Sequence, residues 1–173
     1  MPQRIQTGRA IVPFRYDSHT TGKSYRSIIL TLEKASGKYG LPGGKVNPQK
    51  DRDTLDAAIR ELEQELGLHA SRRSAQKVLT YHGQVCDHDI YVVDDVEGKL
   101  HADHSELSGI GFFNCGRHNE IDESRLESYV LELKRAYFNT PFEKFPGSRI
   151  FIPRHYFKGN RQVLGWYHQR KKS

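Results

Sequence analysis

The chain is poor in cysteine: its 173 residues carry two, Cys86 and Cys115. Two thiols suit neither a disulfide framework nor a structural zinc site, which takes about four ligands. No apolar run approaches the roughly 20 residues that a membrane span requires. The opening MPQRIQTGRAIVPF lacks the long apolar core of a secretory signal. These absences point to a chain without a membrane segment that works in the reducing cytoplasm. Acids are absent from one stretch in particular. Lys144–Ser173 has eight Lys or Arg and no Asp or Glu, which leaves 19 basic against 21 acidic residues in Met1–Glu143. The net charge of +6 therefore belongs to the tail.

With 36% hydrophobic and 28% charged residues, the composition is that of a soluble globular protein, and the length supports one domain rather than two. The expected division is a domain over residues 1–143 and a basic, aromatic-rich extension over 144–173 packed on it. Arg9–Tyr16 and Tyr25–Glu33 are β-branched and aromatic runs separated by the turn-rich DSHTTGK, so both predict strands. Further strands are expected at Gln76–His82, Asp89–Asp94 and Gly109–Asn114. Asp53 suits an N-cap, with Asp56 three residues on as in a capping box, and Leu55, Ile59, Leu62 and Leu66 recur at helical spacing. Gly67 is a natural stop, giving a helix over 54–66. A second helix is expected within IDESRLESYVLELKRAYF, with Leu126, Val130, Leu133 and Tyr137 as its apolar stripe. Strands before, between and after two helices suggest an α/β fold with a sheet packed between helical layers.

The polar face of the first helix holds the chemistry. Residues four apart share a face, so Glu61 and Glu65 are stacked neighbours with Gln64 beside them. Adjacent like charges destabilise a bare helix, and a hard divalent cation such as Mg²⁺ or Mn²⁺ would offset them while bridging to phosphate oxygens. The alternative is a solvated helix face.

Gly44–Leu68, with LPGGK at its start and AAIREL, Glu65, Gly67 and Leu68 at its end, resembles the signature box of the Nudix hydrolases. SELSGIGFF at Ser105–Phe113 is similar to the family's acid followed by an aromatic strand. The likeness covers most of residues 9–138. It implies an α/β/α sandwich with a mixed sheet, and hydrolysis of a nucleoside diphosphate linked to another moiety. It also implies that Glu61 and Glu65 hold Mg²⁺ or Mn²⁺ with a backbone carbonyl of Gly43 or Gly44 and a weaker contribution from Gln64. Glu106, with Asp103 behind it, is the candidate general base or further ligand. Lys45, directly after the paired glycines, joins Arg60 as a candidate substrate contact, although its turn lacks the spacing of a phosphate-binding loop and otherwise makes it a surface lysine.

Three departures stand out. The box spans 25 residues where the family has 23, which implies two extra residues in NPQKDRD. Counting forward or back puts Lys50 or Arg52, neither acidic, at the family's first glutamate, so Arg60 takes Asp51 or Asp53 as its partner or has none. Gln64 replaces the first glutamate of the Glu-Glu pair. The substrate expected is a small nucleotide: a nucleoside triphosphate, a nucleotide sugar or a dinucleotide. The alternatives are a catalytically weakened domain that binds nucleotide or RNA, and an RNA-processing hydrolase. The tail interleaves Phe145, Phe151, Tyr156, Phe157, Trp166 and Tyr167 with its positive charges. That pattern suits either an arm pinned onto the domain, with RIFIP as an added strand, or a surface for nucleic acid. His82, His88 and the HADH cluster at His101–His104 are solvated loop histidines in this reading rather than metal ligands.

Overall fold

The computed structural model describes residues 3–17, 24–114, 122–134 and 149–153. Two sheets are built from the expected strands and several short ones. The first runs in the order β5 (Gly43–Lys45), β1 (Ile5–Ile11), β7 (Cys86–Val93), β6 (Ala75–His82). It is mixed: β1 pairs antiparallel with β5 but parallel with β7, and β6 returns antiparallel to β7. The second is centred on β3 (Ser24–Glu33), which pairs antiparallel with β2 (Pro13–Asp17), β4 (Tyr39–Gly40) and β9 (Leu107–Asn114).

The run Arg9–Tyr16 is thus two strands in two sheets rather than one. The break falls at Val12, just before Pro13, which lacks the N–H needed to continue a ladder. This turn sends the chain from the first four-stranded sheet to the second. Between them lies the core, with Ile11, Ile28, Leu30, Leu41, Ile90 and Phe113 all fully buried. Phe14 meets Phe112 edge to face at 5.3 Å. The buried hydroxyls of Ser27 and Thr31 donate to the carbonyls of Phe113 and Gly40, so their burial leaves no donor unpaired.

Helix α1 (Thr54–Leu66) begins at Asp53, whose carboxylate accepts the Asp56 N–H at 2.9 Å, and ends on Gly67 with φ 68°. The capping box is displaced by one residue: Asp56 accepts from the backbone of Arg52 rather than of Asp53. Its buried side comprises Leu55, Ala57, Ala58, Leu62 and Leu66, with Ile59 only half-buried. The two alanines take Ile59's place because α1 lies so close to β1. A Cβ on Gly8 would stand 1.7 Å from the Thr54 carbonyl oxygen, so only glycine permits this approach. Replacing Leu62, which is fully buried, by Ala costs about 2–5 kcal/mol.

The second helix, α2 (Ser128–Leu133), starts later than its apolar stripe suggested. Glu123–Arg125 form a 3₁₀ turn, and Leu126 makes a bridge to Tyr39 instead of a helical turn. Leu126, Val130 and Leu133 are nevertheless buried; Tyr137 lies outside the described residues. Within RIFIP, β10 (Arg149–Phe151) pairs in parallel with β8 (Glu97–Lys99), the Phe151 carbonyl accepts the Leu100 N–H at 2.8 Å, and Ile152 is buried. Cys115, Phe145, Tyr156, Phe157, Trp166 and Tyr167 lie outside the described residues. No helix among the described residues is long and apolar enough to cross a membrane.

Candidate functional site

A cleft of about 830 Å³ opens between the polar face of α1, the β5 turn and the exposed face of β1 and β7. Three carboxylates converge in it. Oxygens of Glu61, Glu65 and Glu106 lie within 4.8 Å of one another, the one such grouping of His, Cys, Asp or Glu among the described residues. Helical spacing brings Glu61 and Glu65 together; the end of the helix brings Glu106. The last carbonyls of a helix lack partners within it, and here those of Glu65 and Leu66 accept from the backbone of Asp103 and His101 at 2.8 and 2.9 Å. Residues 101–106 are thereby laid across the helix end, with Glu106 N–H in turn bonded to the Asp103 carbonyl. The Asp103 side chain is occupied by the Ser105 N–H and hydroxyl.

Gly44 makes room for Glu61. A Cβ there would stand 2.9 Å from the glutamate's Cγ, Cδ and Oε1, so the carboxylate lies directly over the β5 backbone. Glu65 is buried, and desolvation pushes its carboxyl up to about 8; Glu61, Glu33 and Glu106 push the same way and Arg9 opposes them. Burial also raises Glu33. Burial and the neighbouring acids thus disfavour a negative charge on Glu65.

Arg60 braces the helix. Its Nε and Nη2 hold the two oxygens of Asp51 at 2.9 and 2.8 Å, and Nη2 also reaches the Lys45 carbonyl at 3.2 Å. Nη1 donates to Glu61 at 2.7 Å and to the Gln64 amide oxygen at 3.3 Å. These bonds use all five N–H groups, which leaves Arg60 no donor for a substrate. Asp51, its side chain 1% exposed, is held below the usual carboxylate range by Arg60, and it also accepts the Asn47 N–H at 2.7 Å. Of the partners open from sequence, then, Asp51 is the one used. Asp53 pairs with Arg72, and Arg52 with Asp56. Lys50, Arg52 and Gln64 are all exposed. The exposed Lys45 side chain lines the cleft rim.

The sequence reading missed Thr7 and Arg9 on the opposite wall and took His88, which lies half-buried on β7, for a solvated loop histidine. Thr7, Arg9 and His88 project from β1 and β7 into the cleft. Thr7 Oγ lies 2.5 Å from His88 Nδ1, and the His88 ring stacks at 4.5 Å on Tyr129. Burial, aided by Arg9, lowers His88 to about 4, so the ring is neutral. Arg9 sits 5.3 Å from the Tyr129 ring centre and hydrogen-bonds Glu33 at 3.1 Å. A signal was available: Thr7 and Arg9 are polar at alternate positions of a strand whose other face carries Gly8 and Ala10. His82 pairs with Asp87.

Comparison with known proteins agrees with this fold. Residues 9–133 match the NUDIX domain family. The fold is shared with a putative Nudix hydrolase from Chromobacterium violaceum (TM-score 0.57, 19% identity, 80% of each chain). It is shared too with a MutT/Nudix protein from Enterococcus faecalis (0.55, 18%, 69% of this chain), of whose length the match spans 47%. A third is the NUDIX domain of Shewanella oneidensis NrtR, solved with ADP ribose (0.51, 13%, 66% of this chain and 75% of that one). No curated protein matches. With the fold, the acidic helix and the family match over most of its length in agreement, the chain belongs to the NUDIX family.

Proposed function

We propose that the chain is a divalent-metal-dependent pyrophosphohydrolase that cleaves a nucleoside diphosphate linked to another moiety. The observation that carries this reading is the convergence of Glu61, Glu65 and Glu106 within 4.8 Å in a cleft. Three oxygen donors, one of them a buried carboxyl raised to about 8, fit a hard cation: Mg²⁺ or Mn²⁺ would offset the desolvation, and the lesser push of the neighbouring acids, that favour the protonated form of Glu65. Glu61, Glu65 and Glu106 would hold the ion with a carbonyl of Gly43 or Gly44, while the Gln64 amide oxygen accepts from Arg60 beside them. Such an ion supplies charge neutralisation on the phosphates and a more acidic attacking water.

This chain's residues contribute the rest. Arg60 and Asp51 fix the helix so that its glutamates keep their spacing. Lys45, on the rim, offers a cation to phosphate oxygens. Glu106, exposed on its loop, takes the proton of the water as its oxygen bonds to phosphorus and the bridging oxygen departs with the other product. A cleft of about 830 Å³ is the size of usual small-ligand sites, which favours a nucleoside triphosphate, a nucleotide sugar or a dinucleotide. The cytoplasm, where such nucleotides and a free Cys86 thiol are both at home, is the compartment we assign.

The test is a phosphate-release screen with Mg²⁺ or Mn²⁺ over nucleoside triphosphates, ADP-ribose and other nucleotide sugars, dinucleotides and capped RNA, with Glu65→Gln alongside. Turnover of one class that Glu65→Gln abolishes supports the reading; no turnover of any with nucleotide binding intact favours a binding domain. The eight positive charges of the tail keep an RNA-processing hydrolase in view. Its mark is affinity for capped RNA that falls steeply with salt and is lost without residues 144–173.

A further inference from the structure

The two arginines of the cleft use the same edge differently. Nε–H and one Nη2–H of a guanidinium point side by side and suit two oxygens of one carboxylate or phosphate. Arg60 fills that edge with Asp51. Arg9 does not fill it. Among the described residues its Nη1 alone is engaged, by Glu33 at 3.1 Å and by the Leu41 and Gly43 carbonyls at 3.1 and 3.4 Å. Arg9 Nε is the one buried side-chain nitrogen or oxygen among the described residues without a hydrogen-bond partner, and no described residue accepts from Nη2.

Burying an unpaired donor is disfavoured, and native proteins do it rarely. Here the side chain as a whole is 13% exposed and lines the cleft. The edge is also held in place. The Tyr129 ring lies beside the guanidinium, and Tyr129 is fixed because its hydroxyl accepts the Leu41 N–H at 2.7 Å. The neighbouring strand carries Gly43 against Arg9 in register, and a Cβ on Gly43 would stand 2.8 Å from Arg9 Cα and Cδ. The acids within reach, Glu33 and Glu65, are too many for one cation, yet neither occupies the edge.

We propose that Arg9 is a substrate-binding residue whose Nε and Nη2 grip a phosphoryl group of the nucleotide, so that this wall of the cleft selects phosphorylated ligands over nucleosides without help from a metal. The substrate class rests on the reading that the cleft takes a diphosphate-bearing nucleotide. An arginine that served only to balance Glu33 and Glu65 would alter stability without altering phosphate affinity.

The experiment is calorimetric titration of the full chain with ADP and with adenosine, first in excess EDTA and then with Mg²⁺. In EDTA the parent should bind ADP more tightly than adenosine. Arg9→Gln and Arg9→Lys should each weaken ADP by roughly tenfold to a hundredfold, the Lys variant because it keeps the charge but loses the two-toothed edge, while adenosine binding stays as it was. Thermal unfolding checks that the variants are folded. If they are not, the unaltered protein gives the same answer through its Arg9 Nε–H nuclear resonance, which should move on adding ADP and stay with adenosine. Equal ADP affinity in parent and variants, no preference of the parent for ADP in EDTA, or an unmoved resonance at saturating ADP each overturns the proposal. Arg9-dependent ADP binding without turnover of any substrate would sink the hydrolysis reading and leave this one standing; turnover with Arg9-independent binding would do the reverse.

Discussion

At the foot of α1 every charge has an answer, whereas across the cleft the charges are left open. Around Arg60 five donors meet Asp51, Glu61, Gln64 and the Lys45 carbonyl, and Asp51 is also tied to the Asn47 N–H. Around Arg9 and Glu65 a donor is unpaired and a carboxyl is pushed up to about 8. The two environments hold the same kinds of group at similar burial. Their difference separates a brace, whose energy is already realised in folding, from a surface that keeps its energy for a ligand.

The largest test strikes the open side. Glu65→Gln removes the carboxyl that would ionise to hold the metal while keeping its shape, and turnover on whichever substrate the screen identifies should fall by two to three orders of magnitude or more, read as kcat/KM. A loss smaller than tenfold would remove Glu65 from the chemistry.

Next comes the brace. Asp51→Asn breaks the two-bond contact with Arg60 inside a nearly buried site and should cost about 2 kcal/mol of stability, read as a shift of the urea midpoint. Asp53→Asn is the matched control. It weakens an exposed pair with Arg72 but keeps a good N-cap, so its cost should stay under about 1 kcal/mol. Equal costs for the two would show that Asp51 is no more structural than a surface acid.

The strand wall carries a pH signature. His88 is lowered from its ordinary range to about 4, chiefly by burial. Below pH about 6.5 the unfolded chain takes up a proton that the folded chain refuses until about 4. This histidine's contribution to stability is therefore present above that window and is lost through it as pH falls, by up to about 1.4 kcal/mol per pH unit. Urea midpoints at pH 7, 6 and 5 should show a smaller fall for His88→Gln than for the parent; parallel falls would mean that His88 does not set the slope.

The smallest effect is expected at Gln64. It is exposed and turned toward Arg60, so Gln64→Glu should tighten the Mg²⁺ requirement of turnover by less than about tenfold. A larger gain would place this side chain among the ion's direct partners, and an unchanged requirement would place it outside them.

How much of this was legible in the residues varies from element to element. Helix α1 was legible at both ends, because Asp53 and Gly67 cap it through bonds to their own neighbours. So was the stacking of Glu61 on Glu65, which helical geometry alone imposes. The brace on Arg60 was legible only as a choice. A turn in which the Asn47 carbonyl accepts from both Lys50 and Asp51 decides which acid faces the arginine, and such a turn has no period to read. The late start of α2 at Ser128 was hidden because Leu126 keeps the helical spacing while pairing with Tyr39 instead.

The sequence by itself determined the elements whose causes are local: the capped acidic helix, the β-branched strands and the concentration of positive charge in the tail. Tertiary structure alone decided what meets across the cleft. Glu106 lies 41 positions after Glu65 in the chain, and it arrives there because residues 101–106 satisfy the carbonyls at the end of α1. Arg9 and His88 come together because β1 and β7 pair in parallel with Thr7 opposite His88. Register between distant strands is fixed by burial of the whole sheet, which no short stretch of residues contains.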